Sequence, residues 1–220
     1  LIFDSGPLIN FSMNGLLYVI EELKKNFDGE FFITHEVKKE VYDNPLNIKQ
    51  FELGALGINN LIVNGVIKLP EEQNISRETI AQRTRDIMEK TNHAMHADGE
   101  WIQLVSDAEI SCFALALEFK EQNVDTIVAI DERTARMLAE KPENLKELMS
   151  QKLHRNIEIA SKLPDISGIS CIRSSELVYV AYKKGLVNLK HPQTLEALLY
   201  ATKFKGSSIS WDEIETIKRL

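Results

Sequence analysis

Leu1-Ile2-Phe3-Asp4-Ser5-Gly6-Pro7-Leu8-Ile9-Asn10 is the stretch on which the fold turns. Three apolar residues in a row are too few for a buried helix but suit the end of a buried parallel strand. Asp4, Ser5 and Gly6 break the run, and Pro7 can open a helix because its missing N–H needs no partner there. A strand that ends in a carboxylate and turns into a helix delivers that carboxylate to the carboxyl edge of a sheet. Open α/β folds collect their ligands at that edge. Taken alone, the stretch reads first as a helix cap, with Asp4 accepting from the turn it precedes. It becomes part of a metal site if other elements bring acids to the same edge.

The rest of the chain alternates between strand and helix signals. Helical stretches over Leu8–Met13 and Leu16–Phe27 follow, the second with an apolar stripe of Leu16, Leu17, Ile20 and Leu23. Phe31–Thr34 reads as a second buried strand, and His35–Tyr42 as a helix with Val37 and Val41 inward and Glu36 and Glu40 on the neighbouring face. Residues 48–63 look helical, weakened by Gly54 and Gly57. Gly65–Pro70 reads as a short edge strand. Ser106 and Glu109 match a capping box that opens an apolar helix over Ile110–Phe119. Val124–Ile130 is the clearest strand; it runs into Asp131 and a helix over Glu132–Glu140. Ile166–Ile172 is a last strand, Ser174 or Ser175 caps a helix over Glu176–Lys184, and two helices close the chain, the final one with a capping box through Glu213. Strands alternating with helices imply βαβ units. The expectation is a three-layer α/β fold with a mainly parallel sheet in a single domain, 1–220. Two polar, charge-rich stretches, at about 71–105 and 143–163, read as helical insertions on its surface.

The 220 residues carry a net charge of −7, which argues against a broad basic surface that coats duplex DNA. It leaves room for an enzyme that grips a short stretch of single-stranded RNA, since carboxylates that bind a cation add to the negative total. No apolar run approaches the ~20 residues of a membrane helix, and the start does not read as a signal peptide. Cys112 and Cys171 lack a CxxC partner and read as thiols of a reducing cytosol, so the expectation is a cytoplasmic protein. His93 and His96, with Asp98, have a spacing that suits a metal on one helical turn, with no further ligand in view.

Two strands end in an aspartate followed by a helix, at Asp4 and Asp131. Glu40 and Asp107 sit on helices near the same end. Four carboxylates gathered there would raise each other's pKa and call for a cation. Hard oxygen ligands suit Mg²⁺ or Mn²⁺, ions that activate water and stabilise an in-line phosphoryl displacement. The residues exclude a dinucleotide fingerprint after a strand and the Asp-x-Asp of a haloacid-dehalogenase-type phosphatase.

DSGPLINF with LLYVIEELKK, FFITHEVKKEVYD, SDAEISCFALALE and VDTIVAIDERTARMLAE resembles the PIN-domain nuclease family. The tail SSELVYVAYKKGLV followed by LEALLYA is similar to the closing helices of toxin-like PIN proteins. The resemblance implies a parallel sheet of order 3-2-1-4-5 and a Mg²⁺- or Mn²⁺-dependent endoribonuclease whose products carry a 5′-phosphate and a 3′-hydroxyl. By motif, Asp4, Glu40, Asp107 and Asp131 match the family's four acids. Asp4 and Asp131 would hold the main ion, Asp107 would bridge to it or hold a second, and Glu40 would orient the attacking water. Glu109 stands where many relatives carry a further acid and is a candidate ligand as well as a cap. Glu132 stands where some carry a second aspartate. Ser5, Glu132, Arg133 and Ser175 are candidates for substrate contact or for support behind the ligands. Single-stranded RNA is the implied substrate; the two insertions are surfaces for an antitoxin-like protein, for a second copy of the chain, or for steering a particular RNA, and the residues do not choose among these. The competing reading is a PIN-like module that binds RNA or protein without cutting.

Overall fold

In a computed structural model that describes residues 1–220, Ile2 and Phe3 form β1 (Ile2–Phe3), fully buried. Asp4 caps α1 (Ser5–Met13) by accepting from the Gly6 N–H at 3.3 Å, the local role read from the opening stretch. α2 (Leu17–Lys25) buries Val19, Ile20 and Leu23. Thr34 caps α3 (His35–Lys38), which runs directly into a π-helical turn over Lys39–Asp43. Such turns are rare and often accompany functional sites.

α4 (Glu52–Val63) packs across α1 and α2. A Cβ on Gly54 would stand 2.7 Å from Ser12 Oγ, and one on Gly57 2.8 Å from Leu17 Cδ1. The two glycines that weaken the helix signal thus sit where α4 comes close to side chains of α1 and α2, and a larger residue at either would make Ser12 or Leu17 shift.

Ser76 caps α5 (Arg77–Asn92), which lies along the next long helix with Ile80, Thr84, Ile87 and Thr91 buried. A hairpin follows, β2 (Met95–Ala97) and β3 (Glu100–Trp101), with Asp98 and Gly99 at φ 52° and 84°. Asp-Gly is a strong signal for such a turn. Histidines 93 and 96 do not share a helical turn: His93 ends α5 and His96 lies in β2, each ring edge-on to Trp101.

α6 (Asp107–Glu121) is the central helix, with residues from Ala108 to Phe119 buried on nearly every side, Phe113 completely. β4 (Ile127–Ala129) leads to α7 (Arg133–Glu140) and α8 (Leu145–Leu153). β5 (Glu158–Ile159) and β6 (Ser170–Ile172) precede α9 (Ser174–Lys183), α10 (Thr194–Phe204) and α11 (Trp211–Ile217).

The fold is mixed α/β with eleven α-helices. β4 lies between β1 and β6, parallel to both. Single-residue parallel bridges extend this sheet beyond β1, from Ile2 to Phe32 and from Phe32 to Lys68. The strands expected over Phe31–Thr34 and Gly65–Pro70 are thus reduced to one bridge each, although Phe31, Phe32, Ile33 and Ile67 are buried. The second sheet is antiparallel, in the order β3-β2-β5. It joins the two stretches read as separate helical insertions, so each supplies strand as well as helix. No helix is long and apolar enough to cross a membrane.

Candidate functional site

Parallel pairing of β1 with β4 brings the two strand-end aspartates to one edge. The Asp4 N–H donates to Ala129 O at 2.9 Å, and a Cβ on Gly6 would meet Asp4 Oδ2 at 3.4 Å and Asp131 Cβ at 3.5 Å. Gly6 thus lies in van der Waals reach of both acids.

Asp4 is 3 % exposed. Its Oδ2 accepts from Gly6, while its Oδ1 has no hydrogen-bond partner. Burial first, and then the charge of Glu109, push its pKa from 3.8 up to about 7; Glu40 adds to the rise, and the Ser5 and Gly6 N–H groups oppose it. Glu109 is itself raised by burial, with the charges of Glu132 and Glu40 contributing. Asp4, Glu40, Glu109 and Glu132 therefore act on one another electrostatically. Glu109 also performs its capping duty: its Oε2 accepts from the Ser106 N–H at 2.8 Å and Ser106 Oγ accepts from the Glu109 N–H at 3.3 Å.

Asp131 is held differently. Its Oδ1 accepts from the Ser174 N–H at 2.8 Å and from Ser174 Oγ at 3.0 Å, and its Oδ2 from Asn10 Nδ2 at 3.3 Å. Burial raises its pKa, and these bonds with one from Ser207 hold the rise back. Asp131 does not cap α7; Glu132 does, accepting from the Ala135 N–H at 2.8 Å. Asp131 instead places its charge against the start of α9, where the helix dipole favours an anion. The cap expected from Ser174 or Ser175 is taken by Arg173 and Glu176, because the Ser174 N–H and hydroxyl are committed to Asp131.

The remaining candidates scatter. Asp107 is exposed and lines a separate cleft with His35 and Arg85; Glu109 is the α6 acid whose charge reaches Asp4. Ser5 supports Asp4 through its N–H. Ser175 is fully buried and accepts from Ser207 Oγ at 3.1 Å. Arg133 is exposed and faces Asn144, Glu147 and Gln151 beside α8. Glu132 accepts from Lys152 Nζ at 3.1 Å, a contact supplied by α8. Arg173 is 6 % exposed and engaged with Glu176 and Glu213, which removes it from any surface.

Asn10, Ser174 and Ser207 are the residues sequence reasoning missed. Asn10 is fully buried, and its Nδ2 also lies 2.8 Å from Thr202 O and 3.1 Å from Ser174 Oγ. A buried amide inside an apolar helix was the available signal, since such groups are seldom left without partners.

No three His, Cys, Asp or Glu side chains stand together in an arrangement ready to hold a metal ion. The donor chemistry nevertheless fits a hard divalent cation: hard oxygens, a buried carboxyl with an orphaned oxygen, and neighbours that raise one another's pKa. The chain matches no protein-family model, no curated protein and no solved structure.

Proposed function

We propose that the chain is a Mg²⁺- or Mn²⁺-dependent endoribonuclease of the PIN type. One observation carries the reading: buried Asp4, raised to about 7 with Oδ1 unpartnered, at the carboxyl edge of a parallel sheet among other acids. Leaving that carboxyl buried and charged is costly; it takes up a proton at or below neutral pH, and a divalent cation would meet the same need. The parallel bridges through Phe32 and Lys68 support the 3-2-1-4-5 order that the PIN reading expects.

Asp4 and Glu109 would hold the ion, with Glu40 and Glu132 at its margin and Asp131 behind. A bound Mg²⁺ or Mn²⁺ supplies an activated water and charge stabilisation at the phosphate. The chain's own part is positional. Ser174 and Asn10 fix Asp131, the Gly6 N–H aims Asp4 Oδ2, and the capping box holds Glu109 on the first turn of α6.

A non-cutting PIN-like binding module is the second reading. It is favoured by the hydrogen bonds that engage both oxygens of Asp131 within the protein. Incubation with an unstructured RNA separates the two. The nuclease reading expects cleavage with Mn²⁺ that EDTA abolishes and that Asp4→Asn lowers by at least a hundredfold, within the range of losses when groups at a reacting centre are removed. Intact RNA under all conditions leaves the binding module.

A further inference from the structure

We propose that the cleft between α5 and the α3–π-turn segment holds backbone phosphates of single-stranded RNA, forming a track beside the acid cluster. The proposal rests on the nuclease reading and names where its substrate lies. The cleft measures about 480 Å³. Arg77, Ala81, Thr84 and Arg85 line one wall, at a spacing that sets them along one face of α5. Lys38 and Lys39 stand on the other, and Asp107 closes the end nearest α6.

Bases slightly outnumber acids along this cleft. The chain carries −7, yet here Lys38, Lys39, Arg77 and Arg85 face Glu36, Asp43 and Asp107. Lys38 is committed to Asp43 at 2.6 Å, and His35 to Glu71 at 2.6 Å. Lys39 and Arg77 make no ion pair, and Arg85 donates only to Gln82, at 2.6 Å. Guanidinium groups without carboxylate partners match phosphate oxygens in shape and charge.

Thr84 supplies an independent observation. It lines the cleft and is 5 % exposed, and its Oγ1 has no hydrogen-bond partner. A buried helix threonine ordinarily donates to the carbonyl one turn back. Thr91 on the same helix does so, to Ile87 O at 2.7 Å. Turned about its side-chain bond toward the cleft, the Thr84 hydroxyl would offer a ligand oxygen the hydrogen bond it does not make within the protein.

The chain leads from both walls of the cleft toward the acids. Lys39 is bonded in sequence to Glu40, and Asp107 lies two residues before Glu109. A phosphodiester chain gripped by Arg77, Arg85 and Lys39 continues into the place where the proposed chemistry acts on it.

The test is binding of a fluorescein-labelled twelve-nucleotide oligouridylate, followed by anisotropy in EDTA so that no cleavage occurs, across a salt series. The double variant Arg77→Ala, Arg85→Ala is expected to weaken binding roughly tenfold or more and to flatten the salt slope by about 1.4, near 0.7 for each single-strand phosphate no longer neutralised. Lys146→Ala, a charge removed from α8, is the control and should change neither. Thr84→Val is expected to weaken binding several-fold while melting no lower than the parent, because it deletes an unpaired buried hydroxyl. Failure of the parent to bind the oligouridylate, or an unchanged affinity and slope in the double variant, overturns the proposal. So does a labelled oligoglutamate that binds in its place and loses affinity in the double variant. Cleavage with Mn²⁺ is scored separately. Cleft-dependent binding without cleavage removes the nuclease reading alone, and cleavage with variant-insensitive binding removes the phosphate track alone.

Discussion

Asp4 does two jobs that pull against each other: its Oδ2 caps α1, while burial and nearby acids penalise its charge. Its folded pKa of about 7 exceeds the ordinary 3.8, so the folded chain holds a proton that the unfolded chain releases in between. Stability therefore falls as pH rises through that window, by on the order of 4 kcal/mol for a shift of this size. Asp4→Asn keeps the capping group and removes the charge. Measured in EDTA, the variant should melt well above the parent at pH 8 and close to it at pH 4. Mn²⁺ at pH 8 should raise the parent's melting temperature and leave the variant's unmoved, because only an ion that binds the folded site stabilises it. A variant advantage of equal size at both pH values would mean that the Asp4 charge is not the cause. The capping half of this residue was legible in the opening stretch, since caps depend on neighbours in sequence. The hydrogen bonds that fix Asp131 were not, because Asn10 and Ser174 reach it from 121 and 43 residues away.

Elements whose signals are local came through best. The Ser106–Glu109 and Ser210–Glu213 capping boxes form as spaced. The strands came through worst. Phe31–Thr34 and Gly65–Pro70 carry the right apolar residues, but pairing stops after a single bridge at Phe32 and at Lys68. How far a ladder runs depends on the twist of its neighbours, which periodicity cannot report. The Asp98-Gly99 turn was present to be read, and the surrounding polar residues masked it. α6 is the element on which the others depend, since it buries residues toward β1, β4, α3 and α5 together. Phe113 is fully buried in it, so Phe113→Ala should cost about 3–5 kcal/mol by denaturant unfolding. A loss below about 1 kcal/mol would show that the helix does not occupy the core as described.

Across the whole molecule, the C-terminal helix is tied down by charge as well as by Ile214. Arg173, at the head of α9, pairs with Glu176 at 2.6 Å and with Glu213 of α11 at 3.0 Å. Burial works against Glu213's charge, but bonds from Arg173 and the Ser210 N–H hold its pKa down at about 2, below the ordinary 4.5. A depressed acid contributes stability that is present above 4.5 and disappears as pH falls toward 2. Glu213→Gln should therefore melt below the parent at pH 7 and together with it near pH 2. The gap at pH 7 should be modest because Glu213 is partly exposed. A gap that persists unchanged to pH 2 would assign the loss to packing instead.

β2 binds β3 on one side and β5 on the other, through Met95 to Ile159 and His96 to Glu158. Two excursions that leave the chain some sixty residues apart are thereby stitched into one flap, and neither can come loose without stripping its neighbour of backbone partners. A protease nick between α8 and β5 should leave both fragments associated until the flap melts as a unit. Deleting either excursion should bare a strand edge that recruits other molecules, so shortened versions of this protein are expected to clump rather than to stay dispersed.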